Sequence, residues 1–91
     1  MSRLQQTVTI RNKLGLHARA ATKLAKLVHQ FEAEVKVLSD GKAYDASSVM
    51  CLLLLAGSQG KQFEIVAEGA DAEQALSAIT ALVEARFDED C

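Results

Sequence analysis

The chain passes from a loop-like segment into a helix-like one within residues 12–31, which read NKLGLHARAATKLAKLVHQF. Gly15 favours a bend in this segment, because glycine adopts backbone conformations that other residues avoid. After it, apolar residues recur at helical spacing, at Ala20, Ala21, Leu24, Leu27, Val28 and Phe31. This spacing predicts a helix over Ala18–Phe31 with one apolar face, and such a helix needs a second layer to cover that face.

Segments in which apolar and polar residues alternate lie on both sides of this helix and predict β-strands. Leu4–Ile10 precedes the helix, and Ala33–Val37 and Phe63–Ala67 follow it. Asp40-Gly41 is a strong hairpin signal and predicts a further short strand over Lys42–Asp45. The pattern therefore indicates four strands.

Two further helices are predicted from their start and stop signals. Ser47 and Ser48 open a short apolar segment that we expect to end at Gly57. Asp71 and Gln74 have the spacing of a capping pair, which predicts the start of a closing helix. The apolar face of that helix is formed by Ala75, Leu76, Ile79, Leu82 and Val83.

The predicted element order is β-α-β-β-α-β-α. Strands with one apolar face need covering on that face only, and helices with one apolar stripe can supply the cover. We therefore expect an α+β fold, a two-layer sandwich of a four-stranded antiparallel or mixed sheet with helices on one side. Residues 1–91 are expected to form a single domain.

Composition excludes several classes of function. The net charge is −2, there is no dense Lys/Arg tract and aromatic residues are scarce, so we expect no nucleic-acid binding. No apolar run approaches the roughly 20 residues of a membrane span, so no membrane insertion is expected. Cys51 and Cys91 lack metal-type spacing, and we expect Cys51 to be a small core residue. We expect no cofactor and no metal, and a cytoplasmic location.

His17 stands where the first helix is expected to begin. The amides of Ala18, Arg19 and Ala20 would lack intrahelical acceptors there, and the helix end carries a partial positive charge. A phosphoryl group on His17 would meet these amides and the guanidinium of Arg19. The spacing is therefore consistent with a histidine that carries a phosphoryl group, although a helix cap or a surface histidine would show the same pattern.

The segment Gly15-Leu-His-Ala-Arg19 resembles the G-[LM]-H-A-R-P signature of the HPr family, the histidine phosphocarriers of the bacterial phosphotransferase system. Ser47-Ser-Val-Met50 is similar to the segment that opens the family's second helix, and the element order matches across nearly the whole chain. The resemblance implies the sheet order 1-4-2-3 with three helices on one face. It also implies that enzyme I, which uses phosphoenolpyruvate, phosphorylates His17 on Nδ1, that Arg19 helps to hold the phosphate, and that a IIA-type protein receives it.

Within the family the chain is most similar to the nitrogen-related branch, on the residues Asn12-Lys-Leu-Gly15, Phe31-Glu-Ala-Glu-Val35 and the ending Phe87-Asp-Glu-Asp90. That branch implies a regulatory role, and the protein would be a stoichiometric carrier and not an enzyme. The chain departs from the signature at Ala20, where the family usually has Pro. Ala20 keeps an N–H that could reach the phosphate.

The resemblance also implies a docking patch for partners beside the histidine. We expect Met50 and Leu53 to be partly exposed, since a short helix that is apolar all round cannot bury every side. Leu16, Ala21 and Lys26 are expected to extend this patch, the lysine by steering acidic partners. Ser48 aligns with the regulatory serine of some HPr proteins, but we favour the interpretation that it is a helix-start residue.

Two alternatives remain open on the sequence. One is a sugar-branch HPr that feeds carbohydrate transport. The other is a ferredoxin-like regulatory domain that binds a small molecule without covalent chemistry. In each carrier interpretation we expect a monomer that meets its partners in turn.

Overall fold

The computed structural model describes residues 2–55 and 58–88. Its elements follow the expected order and end with one 3₁₀ turn. In chain order they are β1 Ser2–Thr9, α1 Ala18–Val28, β2 Glu34–Ser39, β3 Lys42–Asp45, α2 Val49–Leu54, β4 Gln62–Gly69, α3 Ala72–Glu84 and the turn Arg86–Asp88. The predicted end of the second helix at Gly57, and Cys91, lie outside the described residues.

The four strands form an antiparallel sheet in the order β1-β4-β2-β3. The sheet order that the resemblance implied is confirmed. Ala67 pairs with Leu4 on one side and with Val35 on the other, so these side chains share the face that the helices cover. On the opposite face Glu34, Lys36 and Glu68 are exposed. The α+β class and the helices on one face are therefore confirmed.

The hairpin between β2 and β3 turns at Asp40-Gly41. Both residues have positive φ, 52° and 78°, as a two-residue turn of type I′ requires. Ser39 pairs directly with Lys42 across the turn. The hairpin prediction and the bounds of the short strand are confirmed.

Helix α1 ends three residues before the predicted Phe31. His29 is its C-cap, and the amides of Gln30 and Phe31 then bond to the carbonyls of Leu27 and Val28 at 3.0 and 3.1 Å. These i to i−3 bonds tighten the last turn and end the helix. Phe31 still packs against the core from outside the helix, which is why its spacing fitted the helical pattern.

Small residues bring α1 close to its neighbours. Ala20 and Ala21 are 0% exposed, and Leu24 and Val28 continue the same buried stripe. Phe87 closes the core from the other end of the chain, and its backbone lies in a left-handed turn with φ 54°. The ammonium of Lys23 donates a 2.9 Å hydrogen bond to the Phe87 carbonyl and so ties this turn to α1.

The predicted capping pair at Asp71 and Gln74 is wrong. Asp71 is the N-cap residue of α3, but its side chain makes no capping hydrogen bond. Its carboxylate instead accepts hydrogen bonds from the amides of Glu32 and Ala33, at 2.9 and 2.7 Å. The sequence spacing was uninformative here because the amides that Asp71 binds lie in the loop between α1 and β2.

Replacing Asp71 with Ala is expected to lower the free energy of unfolding by about 2 kcal/mol, because two amides lose a charged acceptor. Urea unfolding followed by circular dichroism measures the change. Gln74→Ala is the matched control and is expected to change stability by less than about 0.5 kcal/mol. A large loss of stability in Gln74→Ala with none in Asp71→Ala would show that the predicted capping pair does form.

Candidate functional site

A closed turn precedes α1 and sets where the helix starts. The Gly15 amide donates to the Asn12 carbonyl at 3.1 Å, and the Asn12 side-chain amide donates to the Gly15 carbonyl at 2.7 Å. Gly15 has φ 71°, which residues with a Cβ rarely adopt. Asn12 is fully buried. The loop is therefore braced from within, and the residues that follow it leave in a defined direction.

His17 is the N-cap residue of α1. Its backbone is extended, with φ −90° and ψ −178°, and its Nδ1 accepts a 3.3 Å hydrogen bond from the Arg19 amide. The imidazole thus does what a Ser, Thr, Asp or Asn side chain does at most helix starts. Since Nδ1 accepts this hydrogen bond, its lone pair points toward the helix and the ring proton lies on Nε2.

The amides of the first helical turn follow directly after His17. The helical bonding pattern begins with the Ala21 amide, which donates to the His17 carbonyl at 2.8 Å. The amides of Ala18, Arg19 and Ala20 come before it and lie at the positive end of the helix. Such an end favours an anion. The side chain of Arg19 is exposed, and His17 itself is half-exposed.

An apolar stripe runs along the outer side of α2. Met50 is 73% exposed and Leu53 is 39% exposed, so the predicted exposure of these two residues is confirmed. Leu54 is 72% exposed and belongs to the same stripe, because residues four apart share a helix face. The sequence prediction missed Leu54, although its spacing from Met50 could have indicated it. Met50, Leu53 and Leu54 are called the α2 stripe below.

Two residues expected in the docking patch lie in the core. Leu16 is 5% exposed and Ala21 is 0% exposed, so neither can offer a surface to a partner. Ala21 lies on the inward stripe of α1, and Leu16 packs into the main hydrophobic cluster. Lys26 is exposed, as the patch requires. Cys51, expected in the core, is only half-buried.

Leu14 is a second exposed apolar side chain that the sequence prediction missed. It is 70% exposed and lies in the turn between Asn12 and Gly15, just before His17. A leucine within a short loop was the available signal, since loop tips are normally polar. Exposed apolar side chains therefore occur both in the loop before His17 and on α2.

Comparison with known proteins bears directly on this site. Residues 4–85 match the family described as PTS HPr component phosphorylation site. A phosphocarrier protein NPr of Shewanella violacea is 52% identical over 98% of each chain. The chain belongs to the HPr family. A phosphocarrier protein HPr of Cupriavidus necator is 42% identical over 94% of this chain and 97% of that protein. An HPr structure from Thermoanaerobacter tengcongensis superposes with TM-score 0.92 at 36% identity, covering 97% of this chain and 99% of that one.

Membership of the HPr family makes the chain a phosphocarrier of the phosphotransferase system, and these proteins are carriers and not enzymes. The partners of such a carrier are, in general, an enzyme I and a IIA-type protein. The ferredoxin-like alternative is not supported, because the family match extends over both the sheet and the helices.

Ser48 of this HPr-family protein caps α2. Its hydroxyl oxygen accepts a 3.2 Å hydrogen bond from the Cys51 amide, which agrees with the interpretation of a helix-start residue. The segment just before it is held by Asp45, whose Oδ1 accepts from the Ser47 hydroxyl at 2.6 Å and from the Ser47 amide at 2.9 Å. These two bonds favour the ionised carboxylate and lower the pKa of Asp45 below its ordinary value.

Ionised Asp45 should therefore stabilise the fold at neutral pH, and that contribution should be lost as pH falls through the depressed pKa of the folded state. Carboxyl chemical shifts followed by NMR during a pH titration measure the pKa. Ser47→Ala is expected to raise the pKa of Asp45 toward its ordinary value, since the hydroxyl bond is the largest cause. Ser58→Ala is the control at an exposed serine in another loop. An unchanged pKa in Ser47→Ala would contradict this assignment.

Within residues 2–55 and 58–88, no three His, Cys, Asp or Glu side chains converge on a point where a metal ion could bind. None of the helices in that part of the chain is long and apolar enough to cross a membrane. His29 is exposed at the C-cap of α1.

Proposed function

We propose that His17 accepts a phosphoryl group on Nδ1 from the enzyme I of the nitrogen branch and passes it to a IIA-type protein in a regulatory role. The observation that carries this proposal is the direction of Nδ1, whose lone pair faces the first-turn amides of α1. The nitrogen branch is supported by the 52% identical relative named NPr. The sugar branch is the second candidate, because a relative named HPr is 42% identical.

The transfer step uses groups that are already in place. Nδ1 attacks phosphorus while the bond from phosphorus to the donor's nitrogen breaks, and the ring proton leaves Nε2 for solvent to restore a neutral imidazole. The Arg19 amide, which donates to Nδ1 over a long 3.3 Å before transfer, then donates to a phosphoryl oxygen. The amides of Ala18 and Ala20 and the Arg19 guanidinium supply further donors.

The hold on the phosphoryl group must stay weak enough for the group to leave. A charge at an exposed helix end is stabilised by about 0.3–1 kcal/mol. Such a contribution orients the group without trapping it. The partners supply the second reacting nitrogen and the in-line geometry, so positioning accounts for most of the rate.

We propose that partners dock on the α2 stripe and on Leu14, with Lys26 steering acidic surfaces. Both partners must reach the same Nδ1, and we expect each in turn to cover the α2 stripe and Leu14. We also propose that the carrier acts as a monomer in the cytoplasm, although a similar solved structure is described as an HPr dimer.

Incubation with phosphoenolpyruvate and purified enzyme I tests the proposed acceptor and the branch together. One phosphoryl group per chain is expected by mass spectrometry, and it is expected to form faster with the nitrogen-branch enzyme. His17→Ala should abolish labelling and leave the circular dichroism spectrum unchanged, because the side chain lies at the surface of the fold. His29→Ala removes the other of the two histidines; measured at the endpoint of labelling and not by its rate, it should still take up one phosphoryl group.

The possible outcomes separate the candidates. Faster labelling by the sugar-branch enzyme would assign the protein to that branch. Labelling of His17→Ala would show that the phosphoryl acceptor is another residue. No labelling of the wild-type protein by either enzyme would overturn the proposed donor.

Leu54→Asp is expected to raise the KM of enzyme I for this protein about tenfold or more, because a charge would be buried against an apolar partner surface. The kcat should change less, since Nδ1 of His17 is untouched. Initial rates of phosphoryl transfer at varied carrier concentration measure both. Ser77→Asp places the same charge at an exposed position of α3 and should leave KM within about twofold. Equal effects of the two variants would show that net charge, and not docking, sets the affinity.

A further inference from the structure

One side-chain hydrogen bond joins the end of α1 to the segment that leads into α2. The Nε2 of His29, the C-cap residue of α1, lies 2.9 Å from the carbonyl oxygen of Ser47. A carbonyl oxygen only accepts hydrogen bonds, so Nε2 carries the proton and donates. Ser47 lies two residues before Val49, where α2 begins.

The segment that His29 contacts is itself a compact turn. The Asp45 carboxylate accepts two hydrogen bonds from Ser47, and the Asp45 carbonyl accepts a third, 3.1 Å long, from the Ser48 amide. Ser48 then caps the first turn of α2 through the Cys51 amide. The Ser47 carbonyl that His29 binds therefore belongs to the turn from which α2 begins.

Helix α1 carries both the proposed phosphoryl acceptor and the histidine that contacts the start of α2. His17 begins α1 and His29 ends it, about 18 Å apart along the axis at 1.5 Å per residue. The α2 stripe lies on the element that His29 holds. The distance and direction from Nδ1 of His17 to the docking residues of α2 therefore depend on how α2 is attached to α1.

We propose that His29 is a positioning residue for phosphoryl transfer, which holds α2 in register with α1 so that one partner surface can cover the α2 stripe and reach His17. This inference rests on the proposed function. Without the His29 bond, the partner would have to order the start of α2 as it docks, which weakens binding. Once docked, His17 would still be correctly placed, so kcat would be preserved while KM rises.

The chemistry of the contact fits a permanent support and not a switch. The ring donates through Nε2 both when it is neutral and when it is protonated. The cavity beside the ring, about 290 Å³, also has Glu34, Asp45 and Ser47 in its lining. A change in the charge of the ring therefore leaves the donor to the Ser47 carbonyl in place.

The test compares His29→Ala with His29→Gln, whose side-chain amide can place a donor near the position of Nε2. His29→Ala is expected to raise the KM of enzyme I for this carrier about three- to tenfold, as the loss of one net hydrogen bond would. The kcat should stay within about twofold. His29→Gln should restore KM to within about twofold of the wild-type value. Gln30→Ala, at the exposed neighbouring position, is the matched control.

Amide hydrogen exchange of the free protein gives a readout that needs no partner. The Leu52 amide, which bonds the Ser48 carbonyl at 3.0 Å, should exchange faster in His29→Ala and return toward the wild-type rate in His29→Gln. This readout does not involve phosphoryl transfer. It therefore tests whether His29 holds the start of α2 even if enzyme I fails to label the wild-type protein.

Three results would overturn the inference. The first is a wild-type KM and a wild-type Leu52 exchange rate in His29→Ala. The second is an equal rise of KM in His29→Ala and His29→Gln, which would remove the hydrogen bond as the cause. The third is a fall of kcat with KM unchanged, which would place the effect at the reacting nitrogen and not at docking.

Discussion

The hydrogen bond from the Arg19 amide to Nδ1 of His17 is the contact on which the site depends. It makes an imidazole the cap of α1, so the helix start and the proposed phosphoryl acceptor belong to one structure. A serine or aspartate would cap the helix as well or better, but neither would supply a nitrogen nucleophile. In the proposed transfer, the amide that aligns the ring beforehand becomes available to a phosphoryl oxygen afterwards. If the proposed transfer is right, capping and phosphate binding use the same amide at different times.

Packing around α1 determines the direction in which that helix end points. Ala20 and Ala21 are fully buried and small, so the helix lies close to its neighbours, and Leu16 fills the space under the loop. Family relatives usually have Pro at the position of Ala20, where the ring would fix φ and remove an N–H. In this chain Ala20 keeps the N–H, and two hydrogen bonds between Asn12 and Gly15 close the turn before the helix.

Local sequence patterns predicted the helices and strands well where one face of the element is buried and the other is exposed to solvent. The alternation in β2 and the Asp40-Gly41 turn depend on neighbours along the chain, and both were found where expected. The wrong predictions for Asp71 and Leu16 have the same cause, which is that each residue contacts parts of the chain far away in sequence. Asp71 binds amides 38 and 39 residues away. Leu16, expected at the surface beside His17, is buried in the core.

The sequence by itself determined the four strands, the first helix with its apolar face, and the histidine at its start, because each follows from periodicity or from a local motif. Only the tertiary structure decided which apolar side chains remain outside. Leu14 and Leu54 are as apolar as Leu16 and Leu52, yet the first two are exposed and the other two are buried. Burial depends on which residues far along the chain lie opposite a side chain, and no local pattern in one sequence contains that information.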